Sequence, residues 1–245
     1  MEDKMIRVAI THGDTNGIGY EVILKTFATP TILELCTPIV YGSPKLVAYH
    51  RKALNLETSF NIIERAEDAC DGKLNILACF DDEVKVDLGQ PSEEAGKAAL
   101  MALDRAMTDY RSGLYDVLVT APINKATIQG EGFHFPGHTE YIETCVGEGN
   151  KALMILMNED LRVALVTTHL PIRNVAEAIT QEAIVEKASI FNLSLKRDFR
   201  ISSPRIAVLS LNPHAGDNGL LGNEEKDIII PAIEELEKKG IQAFG

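Results

Sequence analysis

Short apolar runs alternate with stretches whose apolar residues recur at helical spacing, almost from the first residue of the chain. Residues 5–10 read as a buried strand, and a glycine-rich turn leads into a helix over 20–27. Residues 38–41 form a second short apolar run closed by Gly42. Ser43-Pro44 then opens a helix reaching Leu54, with Ser43 as N-cap and proline at the first helical position. A further apolar run covers 74–79. The longest helix starts at Ser92, where Glu93 and Glu94 sit at the positive end of its dipole. Its stripe runs through Ala99, Leu103, Ala106 and Tyr110, and Gly113 ends it. Residues 116–120 are a strand that stops at Ala121-Pro122.

The second half repeats the alternation. Apolar runs at 152–157 and 163–167 flank Asn158-Glu159-Asp160, the signature of a hairpin, which would add an antiparallel element to an otherwise parallel sheet. A helix over 180–195, a strand over 206–211 and a helix over 224–239 follow. Gly240 caps that helix, and residues 241–244 read as the start of a strand, so the pattern is expected to continue past Gly245. Strands alternating with helices at this spacing predict a layered α/β architecture, and no repeat or low-complexity linker interrupts it.

Composition narrows the function classes. Hydrophobic residues are 45% of 245, enough for a full core. A net charge of −12 argues against a nucleic-acid partner, and an anionic ligand would need local cations or helix N-termini. No run approaches the ~20 apolar residues of a membrane span, and the charged opening does not resemble a signal peptide. Cys36, Cys70, Cys79 and Cys145 lack CxxC spacing; Cys36, Cys79 and Cys145 lie in apolar settings, as buried free thiols of a reducing, cytoplasmic compartment would.

Four polar clusters follow apolar runs, where open α/β sheets bind ligands. In Thr11-His12-Gly13-Asp14-Thr15-Asn16-Gly17-Ile18-Gly19, Gly13, Gly17 and Gly19 let backbone approach a phosphate or cofactor, with Asp14 in the same loop; a tight structural turn is the alternative. In Thr120-Ala121-Pro122-Ile123-Asn124-Lys125, Lys125 could hold a phosphate or carboxylate, or be an ordinary surface lysine. In Pro136-Gly137-His138-Thr139-Glu140, His138 and Thr139 offer donors at a helix start, although Thr139 could simply cap it. Thr167-Thr168-His169-Leu170-Pro171 and Asn212-Pro213-His214-Ala215-Gly216 each set a histidine after a strand and beside proline. Two imidazoles there suit zinc, nickel, cobalt or manganese but do not complete a site; two hydrogen-bonded histidines in a polar cleft are the alternative. His50 and His134 lack such settings and are expected at the surface.

Taken in order, the stretches ITHGDTNGIGYEV, TAPINKA, FPGHTEYIE, VTTHLPIRNVAEAI and SLNPHAGDNGLLGNEE resemble the 4-hydroxythreonine-4-phosphate dehydrogenase family of pyridoxal phosphate biosynthesis, called PdxA, across nearly the whole chain. The resemblance implies a fold like the isocitrate and isopropylmalate dehydrogenases, with two α/β/α domains and a cleft between them. It places a first α/β domain at 1–121, incomplete without a further C-terminal segment, and a second at 122–245 with the metal histidines and dimer interface. It implies NAD- or NADP-dependent oxidation of 4-phosphohydroxy-L-threonine to 2-amino-3-oxo-4-phosphonooxybutanoate, followed by loss of CO₂. A divalent metal (zinc, cobalt, magnesium or nickel) would polarise the reacting oxygen. Matching positions make His169 and His214 metal ligands and His138 and Thr139 substrate contacts, in a site shared across a homodimer.

Two departures bear on activity. The family's third metal histidine lies in a YHDQG-type motif that this sequence does not contain, and further substrate-binding lysine, asparagine and arginine residues are likewise missing. His12 and Asp14 replace residues that are often proline and glutamate. The 245-residue chain is therefore expected to bind metal weakly and turn over little. Alternatives from the same motifs are oxidation of 4-phospho-D-erythronate or D-threonate, a metal-dependent lyase or phosphatase without nicotinamide, and a non-catalytic binding domain.

Overall fold

The structure is a computed structural model, described here for residues 5–80, 84–130 and 132–245. It divides into two compact units, Met1–Ala152 and Leu153–Gly245.

The first unit is built on five parallel strands, β1 (Ile6–Thr11), β2 (Cys36–Gly42), β3 (Asn61–Ile63), β4 (Asn75–Ala78) and β5 (Val117–Thr120), in the order β3-β4-β2-β1-β5. Side chains alternate between the faces, as the pleat requires. Ala9, Ile39, Tyr41 and Leu77 join one buried cluster, while Ile10, Val40 and Ile76 join another. Helices α1 (Gly19–Thr26) and α2 (Pro44–Ala53) cover the second cluster with Tyr20, Ile23, Leu24, Leu46 and Val47. Helix α3 (Glu93–Arg111) covers the first with Ala99, Ala102, Leu103, Ala106 and Met107, alanines that let it lie close to β1 and β2. Both predicted caps form: the Ser43 hydroxyl accepts from Leu46 N–H at 3.4 Å and that of Ser92 from Ala95 N–H at 3.1 Å. Tyr110, the last member of the predicted stripe, is instead exposed in the final turn of α3.

Helix α4 (His138–Val146) belongs to this unit too, because Tyr141 packs into the α3 cluster and its hydroxyl donates to Asp104. That packing carries the compact unit past the Ala121–Pro122 step at which the first domain was expected to end. Strand β3 was not foreseen: Ile62 is exposed and only Ile63 is buried, so three edge residues give little pattern. His50 departs from its expected surface position. It is 3% exposed, one turn beyond Leu46 on the buried stripe of α2, with Nε2 at 2.9 Å from the Thr15 carbonyl oxygen. His134 is exposed as expected.

The second unit opens with the predicted hairpin. Strands β6 (Ile155–Met157) and β7 (Arg162–Ala164) pair antiparallel, and Asn158 Oδ1 accepts from the Asp160 and Leu161 amides at 2.9 and 2.8 Å. The hairpin is its own two-stranded sheet rather than an addition to the parallel one. A short α5 (Val175–Ala178) precedes α6 (Gln181–Arg197), which Thr180 caps. Strand β8 (Arg205–Ala207) is shorter than predicted. The expected helix over 224–239 begins as a π-turn, Glu225–Ile229, and continues as α7 (Ile230–Lys238). Pro231 explains the change, since it has no N–H for the carbonyl four residues back and its ring crowds that oxygen. Strand β9 (Gln242–Phe244) pairs parallel with β8. Phe191, Leu195, Ile206, Ala232, Leu236 and Ala243 form the core of this unit.

Asp109 is the one acidic side chain among the described residues that is buried in the first unit's core, at 5% exposure. It accepts from the Tyr41 hydroxyl at 2.9 Å and from Arg105 Nε at 3.2 Å. Tyr41→Phe strands one oxygen of that carboxylate, and denaturant unfolding should register a loss of about 1–2 kcal/mol. An unchanged midpoint would mean that Arg105 alone satisfies Asp109.

Candidate functional site

In the first unit the candidate residues gather at the carboxyl ends of β1 and β5. Thr11 and Thr120 are register partners there, so the 12–19 and 121–130 loops leave the sheet side by side. The Asp14 amide donates to the Pro122 carbonyl at 2.9 Å. Gly13 has φ +73°, and a Cβ on it would stand 2.3 Å from that same oxygen. A Cβ on Gly19 would stand 2.0 Å from the His12 carbonyl oxygen. Gly13 and Gly19 are thus required by the loop's own packing. Gly17 has a looser neighbourhood, 3.4 Å from Asp14, whose Oδ1 accepts from the Asn16 amide at 2.9 Å.

Asn16, which sequence reasoning passed over, ties this loop to residues 87–90. Its Nδ2 donates to the Gln90 carbonyl at 2.8 Å, its Oδ1 accepts from Asp87 N–H at 2.9 Å, and its carbonyl accepts from Gly89 N–H at 2.9 Å. His12 is fully buried, stacked on Tyr20 with ring centroids 5.0 Å apart and tilted against Phe80 at 5.8 Å. Burial lowers its pKa from 6.5 to about 4, outweighing backbone contacts at Ala98 and Gly13 that favour the charged ring. It is a neutral core residue.

Lys125 is exposed on a turn held by Asn124, whose Oδ1 accepts from Ala126 and Thr127 amides at 3.0 and 3.3 Å. His138 and Thr139 are half-buried in the first turn of α4, with Gly137 as N-cap. Burial lowers the His138 pKa, and the positive charge of Lys125 lowers it further. Its Nε2 is shielded from solvent without a hydrogen-bond partner. The first unit therefore brings a neutral imidazole, a hydroxyl, a helix N-terminus and a lysine charge into one neighbourhood, a set that can hold a polar anion.

The second unit carries the other two histidines. His169 and His214 are both exposed, on the loops that follow β7 and β8. Both hold left-handed backbone, with φ of +56° and +53°. His214 begins a run of five such residues, His214 to Asn218, a conformation costing roughly 1–2 kcal/mol per L-residue. Such outliers persist only where the surroundings impose them. The entry to the run is tied to two carboxylates: Glu225, 7% exposed, accepts from the Leu211 and Asn212 amides at 2.9 and 2.6 Å and from Asn212 Nδ2 at 3.0 Å, and the same Nδ2 donates to Glu224 at 2.7 Å. The Asn212 donors hold the Glu225 carboxyl below the usual glutamate range. In the sequence, Glu224 and Glu225 look like ordinary acids at a helix start, so the role of Glu225 gave no separate signal.

Among the described residues no three histidine, cysteine, aspartate or glutamate side chains converge as a metal site. Imidazoles have the right chemistry for zinc, cobalt or nickel, but the donor count stops short of the three a catalytic centre uses. The four cysteines are free; burial pushes the Cys36 thiol up and the Cys79 thiol to about 12, so both stay protonated.

A curated protein of Bacteroides thetaiotaomicron named 4-hydroxythreonine-4-phosphate dehydrogenase is 64% identical over 245 residues, which are 100% of this chain and 67% of that protein. A crystal structure of a 4-hydroxythreonine-4-phosphate dehydrogenase from Burkholderia phymatum superposes with a TM-score of 0.83 at 33% identity, over 99% of this chain and 74% of the other. The Klebsiella pneumoniae enzyme of that name gives 0.87 at 29% identity, over 100% and 74%. These likenesses bear out the expected α/β fold class. The model of the pyridoxal phosphate biosynthetic protein PdxA matches residues 34–245, and the chain belongs to that family.

Proposed function

We propose that the protein is an oxidoreductase of pyridoxal phosphate biosynthesis that oxidises 4-phosphohydroxy-L-threonine with NAD or NADP. What carries this reading is the 64% identity, along the whole chain, to a curated protein of that name. In the reaction the substrate alcohol gives up a hydride to the nicotinamide and a proton to a base, and the resulting 3-oxo acid loses CO₂. The sequence identifies no such base.

Residues of the first unit would bind the phosphorylated substrate. His138, uncharged at neutral pH, and Thr139 would hydrogen-bond it, and Lys125 would supply the positive charge a phosphate needs. The loop carrying Gly13, Asp14, Gly17 and Gly19 would flank the phosphate or cofactor. In the second unit His169 and His214 would supply two ligands to a divalent ion, and their shared left-handed backbone supports that role. Such an ion, when bound, would supply Lewis acidity at the reacting oxygen. The third ligand expected for the family is not among the described residues.

A homodimer is part of the same reading. Ile172, Leu209 and Leu220 of the second unit are 92%, 80% and 78% exposed, apolar area that a partner subunit would cover. Among the described residues no helix is long and apolar enough to cross a membrane. The free cysteines suit a cytoplasmic location.

The test is NADH formation from 4-phosphohydroxy-L-threonine, with zinc, cobalt or magnesium and with a chelator, beside the Bacteroides thetaiotaomicron protein. Metal-dependent NADH formation, weak in this chain and strong in the relative, is expected. Release of phosphate or elimination without nicotinamide reduction would replace the reading with a phosphatase or lyase.

A further inference from the structure

The β6–β7 hairpin is apolar on both faces. Ile155 and Ala164, which are register partners, pack against the core of the second unit. On the other face Leu156 and its register partner Val163 are 54% and 37% exposed, and Met154 is 37% exposed. A hairpin meant to face water on that side would carry polar residues there. The outer edge of β6 is open as well, since β7 is its one strand neighbour among the described residues. The Met154 carbonyl accepts from the Leu165 amide at 3.2 Å, and the Asn158 amide donates to the Leu161 carbonyl at 2.9 Å. Even-numbered residues thus turn their backbone groups towards β7. By the alternation of an antiparallel ladder, Leu153, Ile155 and Met157 turn theirs to the open edge. Residues 152–157 hold no charge, proline or glycine that would protect such an edge.

We propose that the open edge of β6 is an interface between two copies of this chain, joined antiparallel about a two-fold axis at Ile155 into a four-stranded ribbon. This interface rests on the homodimer reading given above and locates its contact. The backbone sets the register. Ile155 faces Ile155 of the partner subunit and Leu153 faces the partner's Met157, so each outward N–H meets an outward C=O. A register moved by one residue would oppose outward groups with groups already turned to β7. Charge selects the same arrangement. Two residues further on, Lys151 comes opposite the partner's Glu159, twice by symmetry. Lys151 is 58% exposed; it also meets Glu143 of its own chain at 3.2 Å, and an ammonium has donors for both. Parallel pairing in register would instead set like charge on like. Leu156 then lies opposite the partner's Met154, which takes apolar area out of water. The same edge is used on both copies, so the assembly closes at two.

Sedimentation velocity of the 245-residue protein over a dilution series gives the monomer–dimer constant, and amide hydrogen exchange reads β6. A dimer is expected, with the Ile155 and Met157 amides protected at high concentration and exchanging on dilution. Met157→Pro removes an N–H that faces away from β7, where an edge strand tolerates proline. It costs two bonds per dimer and should weaken association about 10–100-fold, with circular dichroism unchanged. Glu159→Lys sets like charges together and should weaken the dimer several-fold. Adding Lys151→Glu to Glu159→Lys should restore it, which a general loss of stability would not produce. A dimer constant that Met157→Pro and Glu159→Lys leave unchanged, with both amides exchanging freely, would overturn the β6 interface and leave the homodimer reading standing. A monomer at every concentration would overturn both. Should Met157→Pro not fold, the charge variants and the exchange of the unaltered protein decide in the same way.

Discussion

Gly96→Ala will destabilise the protein by about 3 kcal/mol, against the direction that helix propensity predicts. Gly96 lies in the first turns of α3, where alanine would ordinarily gain about 1 kcal/mol. A Cβ at this position would stand 1.9 Å from the Thr127 carbonyl oxygen and 2.4 Å from its carbonyl carbon. Both are backbone atoms, so no rotamer change relieves the overlap, and either α3 or the 124–128 turn must move. That turn carries Lys125 and is closed by the Ile128 amide on the Asn124 carbonyl at 3.1 Å. The substitution should therefore lower the unfolding free energy and also weaken binding of a phosphorylated ligand. Denaturant unfolding measures the first effect; a midpoint equal to or above that of the unaltered protein would show that the turn yields freely.

The second large effect is a sensitivity to acid that His12→Leu should remove. His12 is neutral in the folded protein, with its pKa lowered to about 4, whereas in the unfolded chain it returns to 6.5. Above pH 6.5 both states are uncharged and the group adds no pH dependence. As pH falls from 6.5 towards 4 only the unfolded chain takes up the proton, so stability drops, by roughly 3 kcal/mol at the lower end. His50, whose pKa is also lowered by burial, acts in the same direction and will leave a residual slope. The hydrogen bond to the Thr15 carbonyl, and then the charge of Glu21, partly counter that second shift. Leucine also replaces a fully buried polar ring with an apolar side chain, so the variant should be no less stable at neutral pH. Unfolding curves from pH 7 to 4 decide the matter: parallel slopes for both proteins would show that His12 gains a partner on protonation.

What could be read beforehand follows from how each element is determined. Strands β1, β2 and β4 carry runs of buried residues and β5 a Val-Leu-Val run, so they stand out in the sequence, whereas β3 is three residues long with Ile62 exposed and does not. Ser43 and Ser92 announced their helices because capping is a local bond, made within three residues. The Asn158 turn is local too. His50 reads as a surface residue because its burial depends on α1 and the Thr15 carbonyl, both distant in sequence. The same holds at the candidate site. Asn212-Pro213-His214-Ala215-Gly216-Asp217-Asn218-Gly219 is rich in the residues that tolerate left-handed backbone, so the turn was half visible. The carboxylates that tie down its entry, Glu224 and Glu225, lie beyond the turn, and nothing in their sequence setting marks that contact.

The parallel pairing of β8 with β9 also orders events during synthesis. Its register joins Arg205 to Gln242, Ile206 to Ala243 and Ala207 to Phe244, so β8 waits for an entire helix to be made before its partner exists. All five strands of the other sheet are available once Thr120 has left the ribosome. The nascent chain thus has a long interval in which one unit can fold while Ile206 and the apolar face of α6 lie bare, and it is in that interval that a chaperone has something to hold.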